Sequence, residues 1–150
     1  MVFEFEVSGK TAARITDARF ALQPFPAKAR FAPSWEPAEP DLPPTPDYTG
    51  RKRSPEIPED GRVVVPGRKF QIRVRLAQTL NLNEWESLRN EKTVVCAYGF
   101  IKYESMGEHK ETAVCYAYRF HWVVDFTSSA TVAESGGFEL AGPADYNCST

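Results

Sequence analysis

Two runs, TVVCAYGFIKY (residues 93–103) and HKETAVCYAYRFHWVVDF (residues 109–126), flank Ser105-Met106-Gly107. Both are rich in β-branched and aromatic residues, and a short glycine-ended turn separates them, which is the pattern of a β-hairpin. A three-residue loop wants glycine at its last position, where φ is positive, and Gly107 stands there. That loop sets Glu104 opposite Glu108. Tyr98 then faces Val114 and Cys96 faces Tyr116, bulky against bulky, while Gly99 faces Ala113 and Ala97 faces Cys115. In this register Cys96 and Cys115 lie on opposite faces of the sheet, and no disulfide joins them. A four-residue turn over Glu104 to Gly107 is the competing register. It would set the two cysteines directly opposite each other, and would also place Phe100 against Glu111.

Outward from the hairpin, more strands follow. Phe3, Phe5 and Val7 alternate with Glu4 and Glu6, the period of a half-buried strand. From Ala13 to Leu22 the apolar parity changes, Ala13 and Ile15 before the change and Ala18, Phe20 and Leu22 after it. A bulge near Thr16-Asp17 reconciles the two halves. Val63 to Val65 followed by Pro66-Gly67 reads as a short strand and turn. Between Lys69 and Gln78, Phe70, Ile72, Val74 and Leu76 point inward and Gln71, Arg73 and Arg75 outward. Leu80 to Asn90 is the one helix: Asn81 is placed as N-cap, Glu84 at N3 completes a capping box, and Leu80 staples to Trp85. Leu82, Trp85 and Leu88 would line its inner side. A short strand at Phe138 to Leu140 follows Gly136-Gly137. The chain is therefore expected to be a single, mainly β domain over 1–150, an antiparallel β-sandwich or barrel-like fold with one short helix at Leu82 to Arg89.

With 150 residues, 42% of them apolar and 25% charged, the chain can bury a core of its own. A net charge of −2 supplies no global field for nucleic acid, and no nucleic-acid partner is expected. The longest apolar runs are far too short to cross a bilayer. No signal peptide is visible, although Met1 leads so directly into a strand that a lost anchor stays open. Three cysteines, Cys96, Cys115 and Cys148, make no disulfide framework. Eleven of the 12 prolines fall between Pro24 and Pro66. The stretch 23–62 reads as a Pro-rich loop inserted between strands, pinned in places by Phe25, Phe31, Trp35 and Tyr48. It behaves as a spacer whose deletion from Pro40 to Pro58 costs little stability. Its PxxP spacings, such as Pro37/Pro40 and Pro43/Pro46, also suit polyproline-reading domains.

Residues Val2 to Thr16 and Pro66 to Asn147 resemble an uncharacterised family of bacterial membrane-associated proteins. The match rests on Ser8 to Ala13, on Pro66-Gly67, and on Tyr98 to Tyr103 with His109 to Tyr116. It extends to the closing Asp145-Tyr146-Asn147. Ala12 stands where the family has proline, and the turn's asparagine is missing. The resemblance implies a small β domain tethered by an N-terminal transmembrane helix that lies outside this chain. It implies no activity.

No catalytic constellation assembles from the sequence. His109 and His121 sit twelve positions apart on one strand, roughly 40 Å if it runs straight, too far to share a metal. Cys115 among alanines reads as a small apolar filler. Glu104, Glu108 and Glu111 crowd a hairpin tip, and Arg51-Lys52-Arg53 lies beside acids that cancel it. Neither an enzymatic activity nor a cofactor or metal is expected. The favoured reading is a non-catalytic domain of a membrane-tethered protein that binds a protein or small-molecule ligand. The alternatives are a sensor or effector domain taking an anionic small molecule, such as a nucleotide, at a sheet mouth lined by Arg73, Arg75 and aromatics, and an unrecognised hydrolase.

Overall fold

A computed structural model of the chain describes residues 1–7, 10–29, 37–76, 79–124 and 132–149, with the side chains of 120–124 and 132–135 not described. The strands are β1 (Val2–Glu6), β2 (Ala13–Pro26), β3 (Arg62–Val64), β4 (Lys69–Arg73), β5 (Thr93–Ser105), β6 (Glu108–Val124) and β7 (Val132–Leu140). The helix α1 (Leu82–Arg89) lies between β4 and β5. One sheet runs β3–β2–β5–β6–β7, the other pairs β1 with β4, all antiparallel, and neither closes into a barrel. The mainly β architecture, with one α-helix among the described residues, is as the sequence predicts.

The small sheet packs on one face of the large one. Phe3, Phe70, Ile72 and Val74 meet Ile15, Ala18, Ala97 and Ile101 there. The expected alternation of β1 holds, and so does the bulge in β2, where the ladder shifts between Ile15 and Asp17. Pro66 and Gly67 turn the chain from β3 into β4, with Gly67 at φ 71° and the Arg68 amide on the Val65 carbonyl at 3.1 Å. Asn81 and Glu84 form the capping box of α1. The inner face of that helix is narrower than its spacing suggests: Leu88 is buried, but Leu82 is 71% and Trp85 43% exposed. The last strand is longer than Phe138 to Leu140, because Gly136 sits beneath the Tyr118 ring and its lack of Cβ lets the ladder continue. Ser8, Gly9, Phe31, Trp35, Phe126 and Thr127 to Ser129 lie outside the described residues.

The central hairpin has a tighter turn than expected. Met106 at φ 54° and Gly107 at φ 80° form a two-residue loop, and Ser105 pairs with Glu108. Two successive positive φ values match the right-handed twist of the flanking strands. Every pairing therefore moves by one residue from the expected register. Tyr98 faces Cys115, Gly99 faces Val114 and Ala97 faces Tyr116. The rows now read small–large–small across three strands, as in Ala21–Tyr98–Cys115, or large–small–large, as in Leu22–Ala97–Tyr116. Large side chains need small neighbours to lie over, and a Cβ on Gly99 would come within 2.3 Å of the Phe20 ring. Matching bulky with bulky was the wrong criterion for register.

The Pro-rich stretch also differs from the expected spacer. β2 continues through Pro24 and Pro26, and beyond Ile15 its outer edge has no strand partner among the described residues. Proline is tolerated there because an edge strand has no ladder bond to lose on that side. The Pro-rich segment then returns along this edge. The Asp41 amide bonds the Pro26 carbonyl at 2.7 Å, the Ser54 amide bonds the Ala18 carbonyl at 2.7 Å, and Ala27 bridges Pro40. From the basic run, Arg53 donates to the Thr16 carbonyl at 2.6 Å and Arg51 donates to the Gln23 side chain, so two of its members fasten the segment. Ala38, Leu42 and Tyr48 cover the second face of the large sheet, while Ile57 crosses to the first core. Pro40 is buried, which removes it from any exposed PxxP motif.

Two expectations follow. Met106 is 82% exposed, so Met106→Asn loses no packing and places a residue suited to positive φ before Gly107. The urea midpoint should rise by an amount equivalent to about 0.5–1 kcal/mol at unchanged m, and a fall would contradict the turn assignment. Replacing 40–58 by a short Gly-Ser link should abolish cooperative unfolding, since loss of Ile57 alone is a core truncation costing about 2–5 kcal/mol. A deletion variant with a near-native melting transition would show that the segment is dispensable.

Candidate ligand cleft and the covered face

The small sheet has five-residue strands, whereas β5 and β6 have 13 and 17 residues. Near the hairpin end a cleft of about 380 Å³ opens between the sheets. Phe5 and Val7 wall one side, Ile15, Val64 and Ile101 the other, and Phe70 and Tyr103 also line it. Alternation places these apolar side chains inward on facing strands. Glu6, Thr11, Ser105, Lys110 and Thr112 supply its polar groups. Lys110 pairs with Glu108 at 3.0 Å, and that carboxylate's hydrogen bond raises the ammonium pKa.

Arg73 and Arg75 are exposed on the outer side of the small sheet, opposite in parity to the buried Phe70 and Ile72. The Arg73 backbone amide donates to the Glu56 carboxylate at 3.2 Å. Burial pushes the Glu56 pKa up, but hydrogen bonds from Ser54 and from the Arg73 amide, with the Arg73 charge, hold it below its usual value. The two arginines do not line the inter-sheet cleft. His109 is exposed, with Nδ1 3.4 Å from Glu104, and the His121 side chain is not among those described. The acids at the hairpin tip have cations beside them: Arg14 at 4.0 Å from Glu104, Lys110 at 3.0 Å from Glu108 and Lys102 at 3.4 Å from Glu111. Among the described residues no group of three or more His, Cys, Asp or Glu is arranged to hold a metal, and no helix is long and apolar enough to cross a membrane.

The opposite face of the large sheet holds groups the sequence reading did not bring together. Tyr98 lies among Phe25, Tyr48 and Tyr146, with ring centroids 5.8–5.9 Å apart. Its hydroxyl accepts from the Gln23 amide at 3.1 Å. Cys96 and Cys115 lie on this same face, diagonal to each other, because Cys115 pairs with Tyr98 and Cys96 with Ala117. The two cysteines are therefore not on opposite faces of the sheet, contrary to the register expected from the sequence, and all three cysteines are free thiols here. The closing tail also has a structural task. Where the β7 ladder ends, the Ala141 amide bonds the Cys115 carbonyl at 2.9 Å. The Asn147 Oδ1 then accepts from the Cys115 amide at 2.9 Å, and its Nδ2 donates to the Ala141 carbonyl at 2.7 Å. A carboxamide thus stands in for a missing strand residue while residues 142–145 loop outward. The detectable signal was an Asn after an apolar Tyr in a tail with no other reason to be ordered.

Comparison with protein families, with curated proteins and with solved structures finds no match to this chain.

Tyr146 is almost completely buried, and burial raises its phenol pKa to about 12. An unfolded tyrosine ionises near pH 10. The folded state therefore keeps a proton that the unfolded state gives up. Its contribution should be intact below about pH 10 and be lost as pH rises toward about 12. Urea midpoints measured across that range should fall, and Tyr146→Phe should flatten the fall. An equally steep decline in the variant would assign the effect to other groups.

Proposed function

We propose that the chain is a non-catalytic binding domain whose ligand is a small, mainly apolar molecule with one polar end, held in the cleft between the two sheets. The carrying observation is the cleft itself: apolar walls from facing strands, a volume of about 380 Å³ and a few polar side chains, which is the make-up of small-molecule sites. The family resemblance adds the proposal that the domain is tethered to a bacterial membrane through a segment outside this chain. The cleft would then work beside a lipid surface. The anionic-ligand alternative draws little support from Arg73 and Arg75, whose strand parity turns them away from the aromatic residues of the cleft.

Medium-chain fatty acids and the matching alcohols are suitable probes. Both series should raise the melting temperature saturably, by the equivalent of about 2.7 kcal/mol at a hundredfold excess over Kd. Thr11 is exposed and outside the buried core, so Thr11→Trp should leave the fold intact while obstructing the cleft. Binding should weaken at least about tenfold, as expected when a pocket is filled. Absence of a saturable shift with either series, or binding unchanged in Thr11→Trp, would reject the cleft as the site.

A further inference from the structure

Cys96 and Cys115 are both fully buried, on adjacent strands and on one face. The backbone amide and carbonyl of Cys115 are both engaged by the tail, on the side away from β5. Tyr98 and Cys115 are therefore a non-hydrogen-bonded pair, the arrangement in which antiparallel strands bring side chains closest. Cys96 is the diagonal neighbour across this close spacing, near enough for the two thiols to shift each other's pKa. Covering them is the C-terminal tail. The Gly142 Cα adopts φ 88°, and a Cβ there would be 3.5 Å from the Cys115 Cβ, so the tail lies directly on the thiol. Arg119 comes from the same strand and the same face. Its Nε is sealed from solvent without a hydrogen-bond partner among the described residues.

We propose that Cys96 and Cys115 are a modification site that a peroxide converts to a reversible intramolecular disulfide, with access gated by the tail Ala141 to Asn147. Opening of the tail exposes Cys115. The neighbouring Cys96 thiol lowers the Cys115 pKa and favours thiolate there, while Cys115 and burial push Cys96 up and keep it the protonated partner, an effect the Arg119 charge only partly opposes. The Cys115 thiolate attacks one peroxide oxygen, the O–O bond breaks, and a sulfenic acid and water result. The Cys96 sulfur then attacks the Cys115 sulfur. The S–S bond forms as the S–O bond breaks, and a second water leaves. Two thiols are oxidised and one peroxide is reduced to two waters. A diagonal pair closes less comfortably than a directly opposed one, so the bond forms under strain and a monothiol reduces it readily.

The test uses the full chain carrying Cys148→Ser, treated with hydrogen peroxide, quenched, unfolded, alkylated and weighed. The expected product is about 2 Da lighter, takes no alkyl label at Cys96 or Cys115, and regains both labels after glutathione alone. Asn147→Ala removes the side-chain bonds that hold the tail, and oxidation should then run roughly ten times faster. If that variant fails to fold, Asn147→Asp keeps the acceptor for the Cys115 amide, loses the donors to the tail carbonyls and should show the same acceleration. Both thiols still alkylated after peroxide in every variant, or oxidation ending as sulfinic acid on one cysteine, would overturn the site. A rate unchanged by either Asn147 variant would overturn the gating.

Discussion

Two consecutive residues at positive φ, Met106 and Gly107, decide which side chains share a face along the longest hairpin. Side-chain direction in a strand has a period of two, so a one-residue change of register exchanges the faces of one strand relative to its neighbour. Here the tight turn puts Tyr98, Cys96 and Cys115 together under the tail, and sends Ala97, Ile101 and Tyr116 to the inter-sheet core. The small–large–small and large–small–large rows across β2, β5 and β6 fit the same register.

The large sheet has two faces to bury and, among the described residues, one partner sheet. The small sheet covers the first. For the second the chain uses irregular backbone, the Pro-rich segment and the C-terminal tail, whose polar groups find partners on strands that would otherwise lack them. Both segments run along exposed ladder positions, on β2 beyond its pairing with β3 and on β6 beyond its pairing with β7. Occupying these positions removes templates for pairing with another chain. Proline suits the task, since it holds an extended backbone without requiring a donor partner.

The two faces thus acquire different properties. One contains a cleft between regular strands, open at the end where the short sheet stops, and it carries the proposal of ligand binding. The other is closed by loops held through a modest set of hydrogen bonds, among them those of Asn147, and seals a pair of thiols. Loop cover of this kind opens at lower cost than a ladder does. That difference places the proposed oxidation under the control of the tail.

The alternation of Phe3 and Phe5 with Glu4 and Glu6, the parity change in β2 and the Asn81–Glu84 capping box were all legible in the chain, and with them the mainly antiparallel β architecture. Each is a local rule with a short period, so a few neighbouring residues suffice to specify it. The hairpin turn was legible only in part. Gly107 announced positive φ, but nothing local required Met106 to share it, and the competing loops differ by a single residue of register. The cleft and the thiol pair were decided by tertiary structure alone. Phe5 and Ile101 stand 96 positions apart in the chain and line one space. Proline content likewise says that regular structure is absent but not whether a segment is packed, because Ile57 and Tyr48 acquire their roles only once a sheet exists for them to cover.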